Sequence, residues 1–106
     1  MIEYTVKITD RASADMEEIY NYIACSLQAP DTARKQYRRI ADEICSLKVF
    51  PNRNKLFNSQ PEHDMGLRQL VVDNYSAVYT VENRSVIVLR VLYSASDIAS
   101  RLKENR

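Results

Sequence analysis

Three side chains in the second half of the sequence, Arg68, Arg90 and Tyr93, and two in the polar segment before them, Arg53 and Lys55, have types that suit phosphodiester chemistry. Cleavage of RNA by attack of a ribose 2′-hydroxyl on its own phosphodiester needs cations for the phosphorane, a base for the hydroxyl and an acid for the leaving oxygen. Arg68 and Arg90 could stabilise the phosphorane, with Arg53 and Lys55 hanging over the same surface. Tyr93, Lys55, Glu62 or His63 could move protons, although a phenol with an ordinary pKa near about 10 needs a cationic neighbour to act near neutrality. Quieter readings stand beside these. Arg90 lies in the apolar run Val86–Leu92, where a guanidinium is costly unless it is paired, so it is either half of a structural ion pair or aimed at a phosphate. Tyr93 also suits the amphipathic rim of a strand end, and the lone histidine, His63, sits in polar surroundings, PEHDMG.

Composition removes other chemistries. A single glycine excludes a glycine-rich phosphate loop, and no zinc or hydrolase motif is present, so neither cofactor nor metal is expected. Cys25 and Cys45 fall about 10 residues apart in their distance from a turn at Pro30, or roughly 15 Å at helical rise, too far for a disulfide. They read as free thiols. The net charge of +1 hides an uneven distribution. Residues 34–55 carry seven Lys or Arg against two acids, and residues 1–33 carry two against six. The basic middle is either a solvated helix face or a surface that steers an anionic partner. No apolar run approaches the roughly 18 residues of a membrane span, and MIEYTVKITD is not a secretory signal, so the expected compartment is the cytoplasm with no membrane association.

The elements that must position these residues fit one α+β domain over residues 1–106. Residues 2–8 alternate, with Ile2, Tyr4, Val6 and Ile8 on one side, as a half-buried strand does. Ala12, Met16, Ile19, Ile23 and Leu27 then recur at helical spacing, predicting a helix from about Arg11 to Gln28 with Asp15, Glu18 and Tyr22 on its polar face. Pro30 and Asp31 suit the start of a second helix whose stripe is Ala33, Tyr37, Ile40, Ile44 and Leu47. Residues 51–66 read as an irregular, functional-length connection. Strands follow at about 67–72, 75–81 and 85–93, joined by turns at Asp73-Asn74 and Asn83-Arg84. In this meander the first and last strands could both flank the middle one and present Arg68 and Arg90 on one concave face. Ser94 and Asp97 resemble a capping box for a final helix to about Lys103. The predicted order is β-α-α-β-β-β-α, with the helices on one face.

The residues Glu18–Ile23, Pro30 with Ala33, Leu47–Pro51, Leu67-Arg68-Gln69-Leu70, Asn74-Tyr75, Val78-Tyr79 and Leu89–Tyr93 through Asp97 together resemble the RelE/ParE superfamily, the toxins of type II toxin–antitoxin systems. The resemblance spans nearly the whole chain. It implies a cognate antitoxin that wraps the toxin and masks its active surface. It also implies one of two modes of growth inhibition, of which one is metal-independent cleavage of mRNA on the ribosome and the other is poisoning of DNA gyrase without hydrolysis. Carried over by position, Arg68 matches an arginine opening the second strand of the chain, Arg90 a basic residue on the last strand, and Tyr93 the place where nucleases carry His or Tyr. Lys55 and Arg53 match a basic RNA-contacting loop loosely. The arginine–tyrosine set favours the endoribonuclease branch. The modest net charge and retained C-terminal helix point the other way, and a third expectation is a non-catalytic antitoxin-binding module.

Overall fold

The computed structural model describes residues 2–96 and 98–103. Asp97, the expected partner of Ser94 in a capping box, lies outside the described residues. Strand β1 (Thr5–Ile8) leads to helix α1 (Asp10–Asn21), a π-helical turn (Tyr22–Ser26) and helix α2 (Pro30–Cys45). Short 3-10 turns (Ser46–Lys48, Pro51–Arg53) then precede β2 (Arg68–Val72), β3 (Tyr75–Glu82), β4 (Ser85–Tyr93) and α3 (Ile98–Lys103). The element order is the predicted one, and the fold is α+β.

Thr9 starts α1 by accepting a hydrogen bond from Ala12 N on its hydroxyl, 3.1 Å away, and the same hydroxyl donates to Leu89 O at 3.1 Å. One side chain thus caps the helix and fixes it to β4. Helix α1 is shorter than its apolar spacing predicts. Beyond Asn21 the backbone takes on an extra residue per turn, with Leu27 N donating to Tyr22 O at 3.0 Å. That turn brings Leu27 back beside Tyr22 and leaves both exposed, so Leu27 leaves the buried stripe. Pro30 opens α2, where its missing N–H costs nothing.

The sheet order is β1-β4-β3-β2, with β1 parallel to β4 and the remaining pairs antiparallel. Helices α1 and α2, with the 3-10 turn that follows, cover one face through Ala12, Met16, Ile40, Ile44 and Leu47 against Leu70, Val72, Ala77, Tyr79, Val86, Val88 and Val91. Helix α3 departs from expectation, because Ile98 packs with Leu67, Val78 and Leu92 in a second cluster on the opposite face. Apolar side chains on both faces of β3 and β4 require covers on both sides. Strand β1 is shorter than its alternation predicts, and Ile2 and Ile8 are exposed while Tyr4 and Val6 pack on the core. Asp73 and Asn83 each take a left-handed conformation in the two hairpin turns, which short polar side chains tolerate. Cys25 and Cys45 are free and exposed. Among the described residues no helix is long and apolar enough to cross a membrane.

Candidate functional site

Strand β4 carries an irregularity on which the placement of Arg90 depends. Val78 pairs with Arg90 and Tyr79 with Val88, so Leu89 has no partner opposite it. An extra residue of this kind is a β-bulge, which breaks side-chain alternation. Its effect is visible in the core, where Val86, Val88 and Val91 share one cluster although strict alternation would send Val91 to the other face. Within this bulge Arg90 is fully buried and grips Asp15 of α1, with Nε to Oδ2 at 2.7 Å and Nη2 to Oδ1 at 3.1 Å. Val91 N donates to the same carboxylate at 3.0 Å, and Arg90 Nη1 donates to the carbonyl of Arg101 in α3 at 3.0 Å. Arg11 approaches Asp15 at 3.9 Å. Of the two readings open to Arg90, the observed contacts are those of the ion pair. Asp15, assigned to the polar face of its helix by spacing, is instead 2% exposed. A buried carboxylate one step from the apolar stripe is stable because three donors satisfy it.

Arg68 is directed elsewhere. It sits at the start of β2 and donates from Nη1 to Asn54 O at 2.6 Å and to Asn52 O at 3.2 Å. β2 and β4 do flank β3, yet the two guanidinium groups reach different partners, on the loop and on the helices, rather than one concave face. Arg53 donates to Val49 O at 2.7 Å, to Ser46 O and Phe50 O at 3.3 Å each, and to Ser46 Oγ at 2.7 Å. The Tyr79 hydroxyl completes this clamp, donating to Pro51 O at 2.6 Å and accepting from Asn54 Nδ2 at 3.0 Å. Burial raises the Tyr79 phenol above its ordinary value, against a smaller lowering by Asn54. Lys55 is exposed next to this clamp. Glu62 is buried and accepts from Ser59 Oγ at 2.6 Å, and His63 is exposed beside Asp64.

Tyr93 closes β4 with half of its surface exposed and packs edge-on to Tyr75, with ring centroids 5.9 Å apart. Burial raises the Tyr75 phenol above its ordinary value, and the neighbouring Tyr93 adds to the shift. The two rings, with Ile19, Tyr22 and Leu27, line an open groove of about 670 Å³ whose polar margin includes Glu18 and Arg101. This groove was not foreseen, because the π-helical turn that brings Tyr22 and Leu27 together leaves no periodic mark in sequence. Among the described residues no group of three His, Cys, Asp or Glu side chains is placed to hold a metal.

An α-hairpin packed on a sheet whose N-terminal strand lies parallel to its last, with a short helix behind, is the architecture of RelE/ParE-superfamily toxins. A chromosomal ParDE toxin–antitoxin system from P. aeruginosa contains a chain of this fold with a TM-score of 0.72 and 25% identity, covering 88% of this chain and 98% of that one. The toxin–antitoxin complex RelBE2 of Mycobacterium tuberculosis contains another (TM-score 0.63, 20% identity, 91% and 97% covered). E. coli RelE in the free state shares the fold with a TM-score of 0.65 and 15% identity over 97% of each chain. Among curated protein sequences no relative matches. Residues 6–98 match the family described as the ParE toxin of type II toxin–antitoxin systems, parDE. The chain belongs to that family and is the toxin of a type II toxin–antitoxin module.

Proposed function

We propose that this toxin arrests growth by binding DNA gyrase without hydrolysing a nucleic acid, and that a cognate antitoxin neutralises it by covering the groove around Tyr75 and Tyr93. The observation that carries this reading is the fate of the arginines suited to a phosphorane. Arg90 is buried and neutralised by Asp15, and the guanidinium donors of Arg68 and Arg53 are directed at carbonyls of their own loop. Phosphoryl chemistry draws on preorganised cations whose donors meet the reacting group, and the donors named here are already engaged by partners within the chain. The match to a family described as the ParE toxin supports the same target. The antitoxin is supported by the toxin–antitoxin systems in which the similar chains occur. An open apolar groove rimmed by aromatic rings suits the non-polar face of an antitoxin helix.

Ribosome-dependent mRNA cleavage is kept as a second reading by Tyr93, whose phenol is exposed and whose position the resemblance matches to the His or Tyr of nucleases. In that reading Tyr93 moves the proton while Arg68, Lys55 and Arg53 contact phosphates, and Arg90 acts from within the core as a scaffold. Two assays on the same preparation separate the readings. Inhibition of supercoiling by purified gyrase, together with intact message in a reconstituted translation reaction, is the result expected here. New 3′ ends within codons, formed only when ribosomes are present, would overturn it in favour of cleavage.

A further inference from the structure

We propose that Phe50, Ile2 and Tyr4 form a second docking surface, which takes a protein segment carrying an apolar anchor flanked by carboxylates. Phe50 has φ +50° and is 69% exposed. The left-handed region is unfavourable for a bulky L-residue, and an exposed ring recovers none of that cost by burial. Such a conformation persists only where its surroundings impose it, and here they do. Arg53 binds carbonyls on either side of the strained residue, Arg68 binds two carbonyls further on, and the Tyr79 hydroxyl binds Pro51 O. Three side chains of the framework are thus committed to holding one aromatic ring in solvent.

The ring has company. Ile2 is also more than half exposed, Tyr4 is half-buried, and with Phe50 and Pro51 they enclose a hollow of about 730 Å³. Its rim is basic. Arg53 lines it, and Tyr4 N donates to the carbonyl of Lys48 and Thr5 N to that of Arg84, which puts two further exposed cations on the segments that adjoin the hollow. These three outnumber the nearby acids Glu3, on the same stretch, and Glu82, paired with Ser85 next to Arg84. An apolar centre with a cationic border is complementary to an apolar side chain between acids. Nucleic acid is the poorer fit, since Phe50 is the one strongly exposed ring here, Tyr4 is half-buried, and Ile2 and Pro51 between them offer no π face for a second base. The hollow lies by the Ser85 end of β4 and the Tyr93 groove by the other, separated by eight strand steps or about 25 Å. A partner here leaves that groove accessible, and the inference holds for either reading of the toxin's target.

The test uses the full chain and a synthetic acidic peptide with a central leucine–tryptophan pair, read by amide chemical-shift mapping and titration. Shifts at Ile2, Tyr4, Phe50 and Arg84, with affinity falling at least about fivefold in both Phe50→Gly and Lys48→Glu, are expected. Phe50→Gly should keep or raise the melting temperature, because glycine accepts that backbone freely, so lost binding cannot be laid to misfolding. Shifts confined to Tyr75 and Tyr93, or an affinity indifferent to both variants, would overturn the proposal. So would tighter Phe50-dependent binding of oligouridine, or sedimentation showing a dimer that Phe50→Gly dissolves.

Discussion

The two ends of β4 use arginine in opposite ways. Near the Tyr93 end, Arg90 is wholly buried, and its worth lies in joining three elements through Asp15 and the Arg101 carbonyl. Near the Ser85 end, Arg53 remains exposed and Arg68 half-exposed, and both stiffen a loop by satisfying its carbonyls. The difference teaches that an arginine in a toxin of this architecture is not by itself a phosphate ligand. What it donates to decides, and in this chain the donors serve the fold at one end and the shape of a surface at the other.

The comparison breaks most visibly at Asp15. Asp15→Ala leaves a buried guanidinium without its counter-charge and should cost about 3–5 kcal/mol, a fall of roughly 15 °C or more in melting temperature for a domain this size. Pairing Asp15→Leu with Arg90→Met should recover most of that loss, since neither charge is then left alone. A mild effect of Asp15→Ala in thermal melts would mean that Arg90 is not held as described.

At the other end, Tyr79→Phe removes the donor to Pro51 O and the acceptor for Asn54. About 1–2 kcal/mol of destabilisation is expected, with faster amide exchange confined to residues 50–56. Global loosening instead would show that the loop clamp and the core are one unit.

Tyr93→Phe should change stability by less than about 0.5 kcal/mol, because the hydroxyl stands at an exposed rim. Its interest is functional. Growth arrest that survives this change supports inhibition by docking, and arrest abolished with the antitoxin still bound would restore Tyr93 as a proton-transfer group.

The smallest effect belongs to the β2–β3 turn. There Arg39 donates to Asp73 at 2.7 and 3.0 Å, and Gln36 does so at 3.1 Å. The Arg39 hydrogen bond first, and that from Gln36 next, hold the Asp73 carboxyl below its ordinary range. The folded chain therefore keeps this group ionised to lower pH than the unfolded chain does. Its contribution is complete above the unfolded value near about pH 4 and vanishes as pH falls through the depressed one. The pair is exposed, so acid-side melts of Arg39→Gln should differ from the parent only slightly, and less again at high salt.

Sequence periodicity revealed those parts of the chain where one period runs unbroken. The span of β4, both two-residue turns and the start of α2 at Pro30 were legible, because turn residues bracket β-branched runs and proline marks a helix start. Asp15 was not, since an acid beside Met16 reads as the edge of a polar face until its partner is known. Arg90 carried the missing clue, because an unpaired guanidinium in an apolar strand calls for a buried acid. The bulge at Leu89, the π-helical turn after Asn21 and the left-handed Phe50 each break a period instead of repeating one. Both surfaces of the candidate site are built at those breaks.

The central position of β4 has a consequence for synthesis. This strand is paired on both sides, with β1 at one edge and β3 at the other, and among the described residues it is the last strand to be translated. Thr9 and Asp15 near the start of the chain meet Leu89 and Arg90 across 80 and 75 residues. Closing contacts so distant is slow and must await the synthesis of β4. Until β4 has been made, a nascent toxin cannot close its sheet. Chains truncated before Ser85 should show no protease-resistant core. A neighbouring antitoxin made at the same time would meet a target not yet closed into its harmful form.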